Sequence, residues 1–424
     1  MTAAGSANTA VDYDIVIAGG GMVGISLALQ LASRSADQLK VLVLESFSVT
    51  ASKSDTANTE YTPSFDARST ALSYGSRLLL EPLGLWQKLS QHLADITQIH
   101  VSDRGHFGSA MMHCEEVNWP ALGYVVENAW LGKVLMGELA TKPNIDFIAP
   151  ASVAAIQHSA DGINVTYRLG DKDSTCSAQL AVIADGANSN LREKLGIDTI
   201  CNDYQQTALI SNVGFREPHL GCAFERFTDQ GPMALLPLTS TLPNEFRSAL
   251  VWCMPEPQAE QLCNASGEQF LQTLQRRFGH RQGEFTRVGQ RFTYPLQLLQ
   301  AREQVRSNLV VMGNAAHSLH PVAGQGFNLA LRDCGRLAQL LAQASRQGQP
   351  LGELALLQRY VEQQHFDQQK TIGFSDQLPA LFGNKQWPLS VLRGLGLGLL
   401  DITPAAKSSF IHHSAGLHDG AVFA

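Results

Sequence analysis

The chain has 424 residues, enough for two or three domains and a large buried core. Hydrophobic residues make up 44% and charged residues 16%, which excludes a disordered chain. Its 31 basic and 38 acidic residues leave a net charge of −7, and no Lys/Arg block forms the phosphate-neutralising stripe that nucleic acid requires, so no nucleic-acid partner is expected.

Residues 1–10 (MTAAGSANTA) lack a charged start followed by an apolar run, so they do not read as a secretory signal, and residues 1–12 are expected to be a disordered N-terminus. Residues 13–18 (YDIVIA) form a continuous apolar run, the pattern of a strand buried on both faces. A glycine cluster follows, then Met22–Leu31, apolar nearly all round and expected as a buried helix. Residues 41–45 (VLVLE) read as a second parallel strand, completing a βαβ unit. The Ser/Thr/Asp-rich residues 46–64 read as a polar loop, Ser76–Leu89 as helical, and mixed strands run on to Gly123. Residues 180–184 (LAVIA) and 308–312 (NLVVM) are two more short buried strands. Between them, CAFERF (222–227), MALLPL (233–238) and SALVWCM (248–254) are separated by turn residues, which predicts an antiparallel sheet. From Gly326 onward helices are expected, with Leu331, Cys334, Leu337 and Leu341 on one face. The apolar stretch Trp387–Leu400 is broken by Arg393 and glycines and falls short of the ~20 residues that a membrane-spanning helix needs.

Cysteines 114, 176, 201, 222, 253, 263 and 334 are odd in number and form neither a CxxC pair nor a metal-ligand cluster. That pattern predicts reduced thiols, a cytoplasmic setting and no metal site.

Three segments carry chemistry. The first is Gly19-Gly20-Gly21-Met22-Val23-Gly24, placed between a strand and a helix. Glycines there permit a tight turn and close approach of a pyrophosphate, and the helix N-terminus offers free N–H groups. Glu45, ending the second strand, is placed to bind ribose hydroxyls, which favours FAD or NAD because an acid would repel a 2′-phosphate. The second is Asp185-Gly186-Ala187-Asn188-Ser189-Asn190-Leu191-Arg192, which alone would read as a turn. The third is the run from Gly313 to Asn328 (GNAAHSLHPVAGQGFN). Its small residues let a cofactor pass close, and Gly324–Gly326 opens a helix whose dipole would stabilise a flavin that gains negative charge on reduction.

With these three segments in this order, the chain from about residue 13 resembles the class A flavoprotein aromatic hydroxylases, of the p-hydroxybenzoate hydroxylase type. Within them it is most similar to the ubiquinone-biosynthesis hydroxylases. Val101-Ser102-Asp103-Arg104-Gly105-His106 and Phe224-Glu225-Arg226-Phe227-Thr228 resemble the 2-octaprenyl-6-methoxyphenol hydroxylases among these. The resemblance implies an α/β fold. A Rossmann-like FAD-binding domain would be built from residues 13–75, 121–200 and 300–345, an antiparallel-sheet substrate domain from 76–120 and 201–299, and a C-terminal helical region from 346–424. It also implies that Gly19, Gly21 and Gly24 hold the FAD pyrophosphate and Glu45 the adenosine ribose. Arg68 matches an arginine near the flavin, and Asp185 and Gly186 a motif linked to both FAD and NAD(P)H. Pro321, Gly324, Gln325, Gly326, Phe327 and Asn328 match the segment lining the isoalloxazine ring. Asn314 stands where the wider family has Asp on the ribityl chain, and its amide can still accept a ribityl hydroxyl bond.

The activity implied is ring hydroxylation of a prenylated phenol. NAD(P)H reduces the FAD, and O2 then gives a flavin C4a-hydroperoxide, which must be kept from water. The specific reaction would take 2-octaprenyl-6-methoxyphenol to the 1,4-benzoquinol in ubiquinone biosynthesis. A sibling hydroxylase acting at another ring carbon and a flavin-dependent prenyl reductase are the alternatives. No catalytic base stands out. His317, His320 and Tyr294 are the candidates, although a motif histidine usually makes structural hydrogen bonds and an aromatic before proline usually packs in a core. Two readings of Glu225 and Arg226 stay open, a solvent-facing ion pair or a substrate contact. A prenylated phenol stays in the bilayer or on a partner, each buried CH2 being worth ~0.8 kcal/mol. Peripheral association with the inner face of a membrane, or with a ubiquinone-biosynthesis complex, is therefore expected. Trp387–Phe410 is the candidate contact surface, with core packing the competing account.

Overall fold

The computed structural model describes residues 11–48, 64, 68–105, 108–159, 162–241, 245–320, 324–383, 396–399 and 401–417. The expected first strand, Tyr13–Ala18, runs through the middle of a parallel sheet ordered Ile145–Ile148, Val41–Leu44, Tyr13–Ala18, Lys172–Ile183, Leu309–Val311. Both faces of these strands are covered, which is why they read as unbroken apolar runs. Ile15, Ile17, Val41, Val43 and Val182 pack into one cluster with the helices Met22–Ser35, Asn128–Leu139 and Gln325–Arg346. Val16, Ala18, Leu42, Leu44 and Ile183 point the other way. They are covered partly by Ile163 and Val165 of an antiparallel extension, Ser152–Ser159, Gly162–Leu169 and the start of Lys172–Ile183. That extension was not among the expected elements, although Ile163, Val165, Tyr167 and Leu169 alternate with Asn164, Thr166 and Arg168 as a half-buried strand requires. The chain leaves Tyr13–Ala18 for a neighbour on one side and returns on the other, so the crevice outside its carboxyl end is a topological switch point.

The second sheet has the order His317–Ser318, Phe292–Ala301, Thr199–Phe215, Phe246–Met254, Gly231–Leu238, Cys222–Thr228, Gln98–Asp103, Ser109–His113. It is antiparallel apart from the parallel pairing of Cys222–Thr228 with Gln98–Asp103. The antiparallel sheet expected from the turn spacing is thus present, and it draws in strands from both sides of the central segment. One face is sealed by Gly267–Phe278, whose Phe270, Leu274 and Phe278 pack on Leu209, Leu235, Leu250 and Trp252. The other face looks toward the parallel-sheet half of the molecule.

The C-terminal part is helical, with Leu331, Cys334, Leu337 and Leu341 of Gln325–Arg346 buried on one face as expected. Arg332 of that helix makes a bidentate pair with Asp367 of Leu354–Gly383, at 2.7 and 3.0 Å, and also donates to Thr371. No described helix is long and apolar enough to cross a membrane. All seven cysteines are free, and among the described residues no group of three or more His, Cys, Asp or Glu could hold a metal.

Candidate active site

The glycine loop at the end of Tyr13–Ala18 owes its sequence to two different constraints. Gly19 has φ +115°, and a Cβ there would lie 2.4 Å from the Ala184 carbonyl oxygen. A Cβ on Gly24 would lie 1.9 Å from the Gly19 oxygen, so strand, turn and helix meet closer than any side chain allows. Gly21 is different. It has an ordinary φ of −73°, and a Cβ on it meets no protein atom within 4 Å. It also forms the N-cap of Met22–Ser35 with no side-chain capping bond, leaving first-turn N–H groups aimed into open space. Glu45 borders the same space, accepting from the Gly20 N–H at 2.7 Å through one oxygen and from the Phe47 N–H at 2.9 Å through the other.

The second and third signatures close on this loop. Gly19 backs onto Ala184 and Asp185, while Gly313 backs onto Val23, whose Cγ1 would be 3.0 Å from a Cβ at position 313. Arg192, buried, donates one nitrogen to both the Ala187 oxygen at 3.1 Å and the Ala315 oxygen at 2.9 Å. This guanidinium therefore ties the Asp185–Gly186 turn to the Gly313–Ala315 turn, a role that spacing could not reveal. Asp185 is exposed but enclosed enough that desolvation raises its carboxyl, opposed by hydrogen bonding from Ser189. Gly186 faces open space. Asn314 is exposed, and its side chain makes no hydrogen bond among the described residues.

The helix Gln325–Arg346 opens at Gly324 without a side-chain cap, and a Cβ on Gly326 would meet nothing within 4 Å. Asn328 is fully engaged: its oxygen accepts from the Ser73 N–H at 2.9 Å and the Ser76 hydroxyl at 2.6 Å. Its nitrogen donates to the Ala71 and Gly324 oxygens. Gln325 donates to the Ser414 oxygen at 3.2 Å, and Phe327 packs on the main core. These three side chains thus shape the backbone of the segment. Pro321 lies outside the described residues.

Between the two halves lies a cavity of about 470 Å³. Asn314 and Gly324–Asn328 form part of its wall, facing the open side of the antiparallel sheet. Leu397, Phe410 and Ile411 of the C-terminal segment close another side, so part of the Trp387–Phe410 stretch packs inward. Leu399 and Ile402 point outward, at 61% and 76% exposure. Residues 384–395, which include Trp387, Leu389, Val391, Leu392 and Leu395, lie outside the described residues.

Of the three candidate bases, only His320 borders the cavity. Its ring meets Tyr204 edge-on at 5.1 Å, and burial lowers its pKa to about 4, so the imidazole is neutral at physiological pH. His317 turns inward, its Nε2 bonded to Asp333 at 2.7 Å, and acts as a strut between strand and helix. The Tyr294 hydroxyl accepts from Arg68 at 3.0 Å on the far edge of the sheet, outside the cavity lining. Arg68 is held there, at the sheet edge.

Glu225 was left open by the sequence and is resolved by the sheet. Neighbouring residues of a strand point to opposite faces, so Glu225 and Arg226 cannot form a pair. Arg226 lies over the Phe278 ring on the helix side, at 6.0 Å, while Glu225 lines the cavity. Its carboxyl counts as half-exposed by surface area only because the cavity supplies that surface, and desolvation raises its pKa to about 8. The signal was present in CAFERFT, since alternation alone separates the two charges.

Comparison with known proteins agrees with this geometry. The family described as FAD binding domain matches residues 12–375. The chain is 34% identical to the ubiquinone hydroxylase UbiL of Rhodospirillum rubrum, covering 95% of this chain and 89% of that protein. It is 30% identical to the 3-demethoxyubiquinol 3-hydroxylase of Escherichia coli, covering 95% of this chain and 98% of that one. Among solved structures it is similar in fold to p-nitrophenol 4-monooxygenase PnpA of Pseudomonas putida, with a TM-score of 0.74 at 17% identity over 96% of this chain and 98% of the other.

Proposed function

Because the chain belongs to the FAD binding domain family and is a flavin-dependent aromatic hydroxylase, we propose that it hydroxylates the ring of a prenylated phenol in ubiquinone biosynthesis. The specific reaction we assign is 2-octaprenyl-6-methoxyphenol to the 1,4-benzoquinol. The observation that carries this reading is an apolar cavity holding few polar groups, with the Gly324–Asn328 segment as one wall. Its volume falls within the ~300–1,000 Å³ of small-molecule sites. A cavity of this size, one wall of which is assigned to the flavin, cannot enclose an octaprenyl chain as well as the ring that carries it, so most of the chain must extend outside.

Bound FAD supplies the redox chemistry, taking electrons from NAD(P)H and passing one oxygen atom of O2 to the ring. The chain's own residues bind, orient and exclude water. In our assignment the open space at Gly21 receives the pyrophosphate, where the N-terminus of Met22–Ser35 offers N–H groups and the positive end of its dipole. Gly19 and Gly24 allow the turn, and Glu45 accepts from the adenosine ribose with the oxygen capacity left beyond its two backbone bonds. Asn314 has a free amide for the ribityl chain, and Asp185 and Gly186 border the same crevice. Arg192 acts as a positioning residue by locking the last two segments together. Water is kept from the ring by the apolar sheet face and by Leu397, Phe410 and Ile411. The domain division over 13–75, 121–200 and 300–345 for FAD, and 76–120 and 201–299 for substrate, belongs to the same proposal.

The protruding tail supports peripheral association with a membrane or a lipid-carrying partner, for which Leu399 and Ile402 are exposed beside the cavity wall. The Escherichia coli relative supports one further reading, hydroxylation at a neighbouring ring carbon. Metabolite analysis of a deletion strain decides between them. Accumulated 2-octaprenyl-6-methoxyphenol is the expected result, a demethoxylated quinone precursor would point to the sibling step, and an unchanged quinone profile would refute both.

A further inference from the structure

Cavity walls built from sheet faces are read row by row, because directly opposed residues point to the same side. One such row runs Val101, Glu225, Ala234, Val251, Ile210 across five strands, and every member lines the cavity. Four are apolar and one is a carboxylic acid. The neighbours of Glu225 on this face are small: Ala234 lies directly opposite, and Ala223 two residues back along the strand. Space is therefore left over the carboxyl for a flat ring. Among the described residues Glu225 has neither a hydrogen bond nor an ion pair, so the acceptor is uncommitted.

We propose that Glu225 is the group that receives the phenolic proton of the substrate, placing the hydroxyl and hence the ring in the cavity. The proposal rests on the hydroxylase reading above. As oxygen attacks the ring, the phenol O–H bond breaks, its proton passes to a Glu225 oxygen, and its electron pair flows into the ring toward the attacked carbon. The C–H proton at that carbon then leaves to solvent, restoring aromaticity. Glu225 returns its proton to the ring oxygen and ends unchanged. The oxygen atom and the electrons come from O2 and NAD(P)H through the bound flavin, and the second oxygen leaves as water.

Among the described residues, the other acid on this face of the adjacent strand is the buried Asp103, two residues from Val101 and opposite Phe227, and the shift of Glu225 is due to burial and not to that carboxylate. On the strand of Glu225 itself, Arg226 lies on the other face, against Phe278, and His100 of the adjacent strand is in contact with Arg281 there. From Phe246–Met254 the Cys253 thiol faces Glu225 and is pushed up by burial and by that carboxyl, so it stays neutral. His320 is neutral on the opposite wall, and Tyr204 is bonded to Asp376 at 2.8 Å. Lys407 of the C-terminal helix is taken by Glu116, Asp401 and the Met111 oxygen. Desolvation alone sets the carboxyl, near pH 8, whereas His320 titrates near pH 4. The two acceptors thus differ in where their activity limb must fall.

The test uses FAD-loaded wild type, Glu225→Gln, Glu225→Asp and His320→Asn, with 2-methoxy-6-prenylphenol as the short-chain probe. Hydroxylated product and NAD(P)H oxidation are measured together from pH 3 to 9. Wild-type product formation is expected to rise with pH to a midpoint near 8. Glu225→Gln should lose that limb and ~10²-fold or more in kcat, the scale of a missing general base. It should keep its flavin and go on consuming NAD(P)H with peroxide as product, while Glu225→Asp recovers part of the yield. A Glu225→Gln enzyme with the limb and yield of wild type overturns the assignment and leaves the hydroxylase reading intact. So does a limb near pH 4 that only His320→Asn removes. A wild-type enzyme that makes no hydroxylated product overturns the reading and the assignment together.

Discussion

Gly21 and Gly24 sit three residues apart in one loop, yet their replacement should fail in opposite ways. A Gly21→Val side chain starts in open space, with no protein atom within 4 Å of its Cβ and no positive φ to strain it. The apoprotein loses only the N-cap preference of glycine over valine, about 1 kcal/mol. The same side chain occupies the place assigned to the pyrophosphate. Losing two charge-assisted bonds at ~1.5–3 kcal/mol each removes ~3–6 kcal/mol of FAD affinity. That is a ~10²–10⁴-fold weaker Kd at 1.4 kcal/mol per decade. Gly24→Ala instead puts a methyl 1.9 Å from the Gly19 oxygen and 3.2 Å from the Ile17 Cγ2, so strand and helix must separate. It should cost more than ~4 kcal/mol in the apoprotein itself. Urea melts of the two apoproteins, together with FAD titration followed by flavin fluorescence, separate these effects. Wild type at a free FAD concentration of 100 Kd should gain ~2.7 kcal/mol, and Gly21→Val less than ~0.5 kcal/mol. Normal flavin occupancy in Gly21→Val, or an apoprotein as unstable as Gly24→Ala, would refute the placement of the cofactor.

Two other substitutions probe the frame around the site. Asn314→Ala should weaken FAD binding by roughly one hydrogen bond, ~1 kcal/mol or about fivefold, with the melting of the apoprotein unchanged; an unaltered Kd would remove the ribityl assignment. Arg247 is fully buried and bonds Glu127 at 2.5 Å, the Thr239 oxygen and the Ser64 oxygen, joining the strand Gly123–Glu127 to the substrate sheet. Arg247→Met should destabilise by ~3–5 kcal/mol because it strands a buried carboxylate, and Arg247→Met with Glu127→Leu should recover much of the loss. A double variant no more stable than the single one would show that the hydrogen bonds to carbonyls, and not the charge, dominate.

Much of this architecture is legible in the sequence. Runs such as YDIVIA and LAVIA could only be strands buried on both sides, and glycines following a strand could only mark a tight approach. The turn spacing of 222–254 pointed to an antiparallel sheet for the same local reason. Other features escaped because they depend on partners far away in the chain. His317 and His320 are three residues apart in one motif, yet one braces a helix through Asp333 and the other borders the cavity. Tyr294 was open to a substrate contact or, more readily, to core packing, and does neither: it is exposed at the sheet edge, accepting from Arg68. The inward packing of Leu397, Phe410 and Ile411 has no counterpart in their spacing either.

The primary structure determined what short-range sterics and periodicity control: the parallel strands, the nucleotide-loop glycines, the apolar stripe of Gln325–Arg346 and the order in which three signatures occur. Tertiary structure alone decided that Arg192 would span from Ala187 to Ala315, and that Glu225 rather than Arg226 would enter the cavity. Alternation guarantees that two adjacent charges part company, but not which of them is desolvated. That choice fell to the helix Gly267–Phe278, which covered one face of the sheet and left the other to close around a cavity.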